Sequence, residues 1–287
     1  MTIKSILCIY TGENREAPAL DAACRLAKRH RAELRVVHLS PPADYAELFG
    51  EDVTALEKDG IERARRTEKS AEDVARRLHV PFSSASDAAP DGKLPRVVFT
   101  VANGYVDDVV PAHGRACDLI VTGRDDVEVS GDVDVILAAL LHTCTPTLVV
   151  PYRAGSAGSL ADPWQTVALA WDGGAAAGRA LRCLELILAP GQKVEIICIR
   201  PKGGKGIVCP VEDAARWLGL HGYVARVSHT GPFAMSAGDA ILVNARELKA
   251  DLLVMGAYGH DHWREMLFGG ATDCVLKTGE IPLLLCH

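Results

Sequence analysis
The strongest constraint on the fold is that the chain writes one plan twice. SILCIYTG at Ser5–Gly12 is matched by TVALAWDG at Thr166–Gly173, and LRVVHLSPP from Leu34 by VEIICIRPK from Val194. DLIVTGR from Asp118 is matched by DLLVMGA from Asp251, and TPTLVVP from Thr145 by IPLLLCH from Ile281. Each is an apolar run of strand length without polar alternation, the pattern of a strand buried on both faces. Helical stripes separate the runs. Leu20, Ala23, Cys24 and Ala27 fall at i, i+3, i+4 and i+7; Val53, Leu56, Gly60, Ile61, Ala64, Ala71, Val74 and Leu78 form a longer stripe; Ala180, Leu181, Leu184 and Leu188 form another. The charged side of the long stripe, ERARRTEKSAEDVARR, reads as a solvated face of mixed sign.

Further strands are predicted at Arg96–Val101, Asp118–Thr122 and Tyr223–Ser228, and helices at Val106–Cys117 and near Asp213–Leu220. Ser236 with Asp239 is a capping-box-like start for a helix running to Lys249, and a last helix, Thr272–Lys277, is closed by Gly279 and Pro282. Strand and helix alternate throughout, so the fold class is α/β: two repeated doubly wound parallel-sheet domains, Rossmann-like, with helices on both faces. The boundaries fall at 1–151 and 165–287. The connector 152–164, YRAGSAGSLADPW, is rich in Gly, Ser and Ala, and by coil scaling spans about 20 Å.

A formal net charge of −6 argues against a general affinity for nucleic acid or an anionic membrane. The nine cysteines are odd in number, scattered through apolar runs and without a CxxC pair, which reads as small core residues in a reducing compartment. Met1–Tyr10 already has the pattern of a strand and not of a signal peptide, and no apolar run approaches the roughly 20 residues of a membrane helix. A cytoplasmic location is expected.

Chemistry concentrates in DLLVMGAYGHDHWREMLFGGAT, Asp251–Thr272. An apolar strand runs into Gly256 and Gly259, and Gly269-Gly270 then opens a helix. A parallel strand feeding glycines and a helix start builds an anion site, because the backbone can approach a ligand and free N–H groups point at it. The spacing is neither GxxxxGK[ST] nor GxGxxG. The first repeat carries RDDVEVSGDVDV after Gly123 instead, with Asp125, Asp126, Glu128, Asp132 and Asp134 placed to repel a triphosphate.

The spacing Gly256-x2-Gly259-x9-Gly269 with Thr272 resembles the nucleotide-binding signature of the universal stress protein family, G-x2-G-x9-G followed by a hydroxyl residue, a small residue and a second hydroxyl. Gly270 stands in the first hydroxyl position and keeps only its backbone N–H; Ala271 and Thr272 match the rest. The resemblance implies an adenine nucleotide alpha hydrolase-like fold for both halves, packed as a pseudo-dimer partly through Leu148–Val150 and Leu283–Cys286. It implies ATP with Mg²⁺ in the second half, with Asp172 lining the adenosine part of the pocket and the Ile199 backbone meeting the adenine edge. Gly256 then lies near the ribose, and Gly259, Gly269, Gly270, Ala271 and Thr272 contact the phosphates. Thr11 stands where Asp172 does, so one nucleotide per chain is expected, with the first half a degenerate partner. Asp172 could instead cap the helix that follows it.

The functional readings are a nucleotide-dependent stress-response regulator with an unknown protein partner and an association of chains left open, a slow ATPase or phosphotransferase, or a nucleotide-free scaffold. For turnover, only His260, Asp261 and Arg264 are near in sequence. Lys202–Gly206 reads as a loop, and His260, Asp261 and His262 lack a third metal ligand placed by spacing. Cys274, in the last helix's first turn, is either a thiol of lowered pKa or an inert one. Neither GxSxG nor HExxH occurs.

Overall fold
The computed structural model describes residues 2–11, 17–42, 53–84, 94–124, 130–152, 164–198, 209–229, 235–258 and 270–287. The chain divides into two compact units, Thr2–Tyr152 and Arg153–His287.

The first unit contains β1 (Ser5–Tyr10), α1 (Ala17–His30), β2 (Glu33–Ser40), α2 (Val53–Arg77), β3 (Phe82–Ser84), β4 (Arg96–Asn103), α3 (Val106–Gly114), β5 (Leu119–Arg124), α4 (Ser130–Thr143) and β6 (Thr147–Pro151). Its strands run in the order β3-β4-β2-β1-β5-β6, all parallel. Because side chains alternate along a strand, Leu7, Ile9, Val37 and Leu39 cover one face and pack with Val109, Val110, Val135 and Ala138 of α3 and α4. The other face takes α1, which buries Leu20, Ala23, Cys24 and Ala27 as its periodicity requires, and α2, whose Thr67 is bonded to His38 of β2.

The stripe expected on α2 holds at Ala71, is half-buried at Gly60, Ala64, Val74 and Leu78, and fails at Ile61, which is 57% exposed; Thr67, Ala71 and Ala75 are the buried ones among the described residues. The opposite face carries the expected mixed charge, with Arg76 paired to Glu72 and Asp73. The sequence also hides β3, three half-buried residues pairing only with β4, and α4, whose apolar residues crowd past a single stripe.

The second unit contains β7 (Val167–Trp171), α5 (Ala175–Ile187), β8 (Lys193–Cys198), α6 (Val211–Leu220), β9 (Val224–His229), α7 (Ala237–Glu247), β10 (Leu252–Gly256), α8 (Ala271–Thr278) and β11 (Leu283–Cys286). Its order is β11-β10-β7-β8-β9, again all parallel. Trp164, in the expected connector, is buried, and its carbonyl accepts from Gln192 Nε2. The capping box at α7 forms: Ser236 Oγ accepts from the Asp239 N–H at 3.1 Å. Gly279 ends α8 in an extended conformation, not a left-handed one, and is glycine for space, since a Cβ would lie 2.6 Å from the Val275 carbonyl oxygen.

The repeat has a physical device at its base. Asp118, just before β5, accepts from the N–H groups of Lys4 (2.7 Å) and Ser5 (3.0 Å), fixing the start of β1. Asp251, just before β10, accepts from Gln165 (2.6 Å) and Thr166 (3.0 Å) at the start of β7. The aspartate opening DLIV and DLLV is therefore a clamp on two amides that have not yet joined the sheet.

The cysteines depart from the expectation of core residues. Cys8, Cys24 and Cys286 are buried, but Cys144 and Cys209 are exposed, and the rest are intermediate; all nine are free thiols. No helix among the described residues is long and apolar enough to cross a membrane.

Candidate nucleotide site
In the second unit, strand order reverses between β7 and β10, where open parallel sheets bind ligands beyond the strands' carboxyl ends. Met255 pairs with Ala170, so Gly256 and Trp171 end adjacent strands and Asp172 follows directly. Asp172 Oδ1 accepts from the Gly174 N–H at 2.8 Å, which ties the β7 turn to the start of α5. The α5 N-cap is Gly174, with no side-chain cap, so Asp172 organises the turn without capping the helix itself. Among the described residues its Oδ2 has no hydrogen-bond partner. From the α6 side, Trp171 Nε1 donates to the Cys209 carbonyl at 3.2 Å, and the Cys209 N–H donates to the Gly173 carbonyl at 3.1 Å.

Gly256 is glycine because α5 lies on it. A Cβ there would come within 2.5 Å of the Ala176 carbonyl carbon and 2.6 Å of the Ala177 nitrogen. Gly270 is the opposite case. It caps α8 in an extended conformation without a side-chain cap, and a Cβ would meet no heavy atom of the described residues within 4 Å. Ala271 and Thr272 form the first turn, with Thr272 buried. The first-turn amides of an uncapped helix carry partial positive charge, which suits an anion.

Tyr258 links the end of β10 to α8, and sequence reasoning missed it. It adopts a left-handed conformation, φ 52°, rare for a bulky residue. Burial first, and the nearby Asp273 carboxylate second, hold its phenol above the usual range, so it remains a donor at neutral pH. His287 packs edge-on against its ring and bonds through Nδ1 to the Ala257 carbonyl at 3.0 Å. The only available signal was an aromatic residue between the paired glycines. Cys274, by contrast, has its thiol pushed up, chiefly by burial and then by Asp239, which removes the activated-thiol reading.

Asp172, Gly256, Gly270, Ala271 and Thr272 thus sit on elements meeting at one sheet edge. Ile199, Gly259 and Gly269 lie outside the described residues, as do Lys202–Gly206, His260, Asp261, His262 and Arg264, and Asp125, Asp126 and Glu128 of the first unit. In the first unit Thr11 follows β1 where Asp172 follows β7, and the position matching Ala257 holds Arg124, whose side chain is buried. Asp132 and Asp134 lie on α4, and Asp134 lines the space at the carboxyl edge of the first unit's sheet.

The profile of the universal stress protein family matches residues 2–151 and 229–287. No curated protein matches the chain. Among solved structures, it is similar to a universal stress protein from Archaeoglobus fulgidus DSM 4304, with 15% identity, a TM-score of 0.65, and 98% of this chain and 96% of that one covered. It is also similar to a functionally unknown protein from Pseudomonas aeruginosa PAO1, with 14% identity, a TM-score of 0.56, and 99% and 92% covered. These likenesses concern the fold, and the profile covers the first unit through β6 and the second from the end of β9 through α7 to β11. The chain belongs to the universal stress protein family.

Proposed function
We propose that the second unit binds ATP with Mg²⁺ at the carboxyl edge of β7 and β10, and that the protein acts in the cytoplasm as a nucleotide-dependent regulator in a stress response. The observation that carries this reading is the start of α8: an uncapped helix N-terminus that follows β10, the partner of β7, and is opened by a glycine whose Cβ direction is empty among the described residues. In this reading the amides of Ala271 and Thr272 take the phosphates, and Asp172 takes the adenosine. Gly256 keeps α5 close to the strand, and Ile199, Gly259 and Gly269 complete the contacts from the intervening segments.

Mg²⁺ prefers oxygen ligands and retains waters, so it is commonly held by phosphates with one or two carboxylates. The residues present fit that mode: among the described residues no group of three His, Cys, Asp or Glu forms a dedicated cage, so the phosphates at the start of α8 would carry the ion. When bound, the ion neutralises phosphate charge.

The test is calorimetric titration of nucleotide-stripped protein with ATP and Mg²⁺, in the native chain and in Gly270→Asp. Aspartate is a good N-cap, so α8 should be as stable as before or more so. Its carboxylate, however, would occupy the anion position. We expect one site per chain and at least about a tenfold loss of affinity in the variant, with no phosphate release from the native protein. Equal affinity in both proteins would overturn the assignment.

A further inference from the structure
The first unit contains a cavity of about 1330 Å³, larger than most small-molecule sites. It opens at the carboxyl ends of β1, β2 and β4, from Thr11 past Ser40 to Asn103, with α2 on one side and α4 on the other. Phe99 lines it on the α2 side of the sheet, and Val135, Ala138 and Leu141 of α4 line it on the other. Three side chains lining it are large apolar groups left in water: Ile61 (57% exposed), Val101 (44%) and Tyr105 (43%). Isolated exposed apolar residues need no explanation, but several around one opening mark a binding surface.

Charge then selects the ligand. Among the described residues, four carboxylates line the cavity, Asp59, Glu68, Asp107 and Asp134, against two guanidiniums, Arg63 and Arg65. Arg63 is already paired with Asp59 at 2.7 Å. On the α3 and α4 side, Asp107 and Asp134 stand together with no cation paired to them among the described residues: partial burial first, and the Asp107 charge second, hold the Asp134 carboxyl above its usual range. His38, lining the cavity from β2, is kept neutral by burial and adds no positive charge. Such a lining disfavours phosphate and favours a positive group on an apolar body.

We propose that this cavity is a second ligand site, separate from the anion edge of the second unit, and that it takes an organic cation with an apolar, planar body. The apolar part lies against Val101 and Ile61 on the α2 side, and the positive group reaches across the strand ends at Ser40 and Asn103 toward Asp107 and Asp134. Tyr105 at the rim offers an aromatic face, a further attraction for a cation.

The experiment uses the full chain with berberine, a planar aromatic cation, and with 8-anilinonaphthalene-1-sulfonate, an apolar anion, both followed by fluorescence titration. The expected result is saturable binding of one berberine per chain, tighter than the sulfonate. Val101→Arg and the double variant Asp107→Asn/Asp134→Asn should each weaken berberine about tenfold. These positions are on the surface, and melting curves verify that both variants fold. A tighter sulfonate, no saturable berberine signal, an affinity unmoved by both variants, or displacement of berberine by ATP would each overturn the proposal.

Discussion

Gly256 ends β10 directly against the first turn of α5, so close that a Cβ at this position would lie 2.5 Å from the carbonyl carbon of Ala176. The obstacle is helix backbone, not a movable side chain, and α5 is itself anchored through Asp172 and Gly174. Gly256→Ala should therefore push α5 off the sheet and destabilise the second unit by about 1–3 kcal/mol. Denaturant unfolding followed by circular dichroism measures this. A variant as stable as the native chain would mean that the strand end and the helix are further apart than described. ATP affinity should fall as a consequence, so Gly256 cannot report on ligand contact, whereas Gly270, with open space around it, can.

That contrast shows how far the sequence could be read. The repeated apolar runs made the parallel sheets legible, because strands buried on both faces leave no alternation to misread. Asp118 and Asp251 were visible as repeated letters, but their clamp on the amides at the starts of β1 and β7 is a contact between segments far apart in the chain. The glycines of the second unit were read as one set facing a ligand. In the fold, Gly256 answers to helix packing and Gly270 to nothing nearby, a difference that spacing alone does not encode. Tyr258 was passed over because its packing with His287, which follows β11 beside β10, is a contact between segments distant in sequence. The stripe on α2 failed at Ile61 because the helix meets the sheet through Thr67, Ala71 and Ala75, leaving its first turns beside the cavity.

His38 gives the first unit a pH dependence. Its Nδ1 lies 3.0 Å from Thr67 Oγ1, and that hydroxyl's proton is donated to the Arg63 carbonyl at 3.1 Å. Thr67 must then accept, which places the histidine proton on Nδ1. Burial first, and the Arg63 charge second, lower the pKa of His38 from 6.5 to about 4. The unfolded chain takes up this proton near 6.5, while the folded chain resists it until about 4, so protonation favours unfolding. The stabilisation is complete above pH 6.5 and is lost as pH falls toward 4, by up to about 3 kcal/mol. Urea unfolding between pH 7 and 4 should give a shallower decline for His38→Gln than for the native chain. Parallel curves would show that His38 titrates as it would in water.

Thiol accessibility separates the cysteines without any ligand. Cys144 and Cys209 are exposed, whereas Cys24 lies fully buried in α1 and its thiol is pushed up to about 12, by burial first and by the Asp21 carboxylate second. Only the thiolate attacks an alkylating agent, and at pH 8 a thiol of that pKa is ionised in about one molecule in ten thousand. Exposure and ionisation therefore act in the same direction. Brief treatment of the native protein with iodoacetamide, followed by peptide mass spectrometry, should find Cys144 and Cys209 modified first and Cys24 unmodified. In denaturant, where burial and Asp21 no longer act, Cys24 should react at the rate of the others. Early labelling of Cys24 in the native protein would mean that α1 opens readily or does not lie on the sheet through Leu20, Ala23 and Ala27.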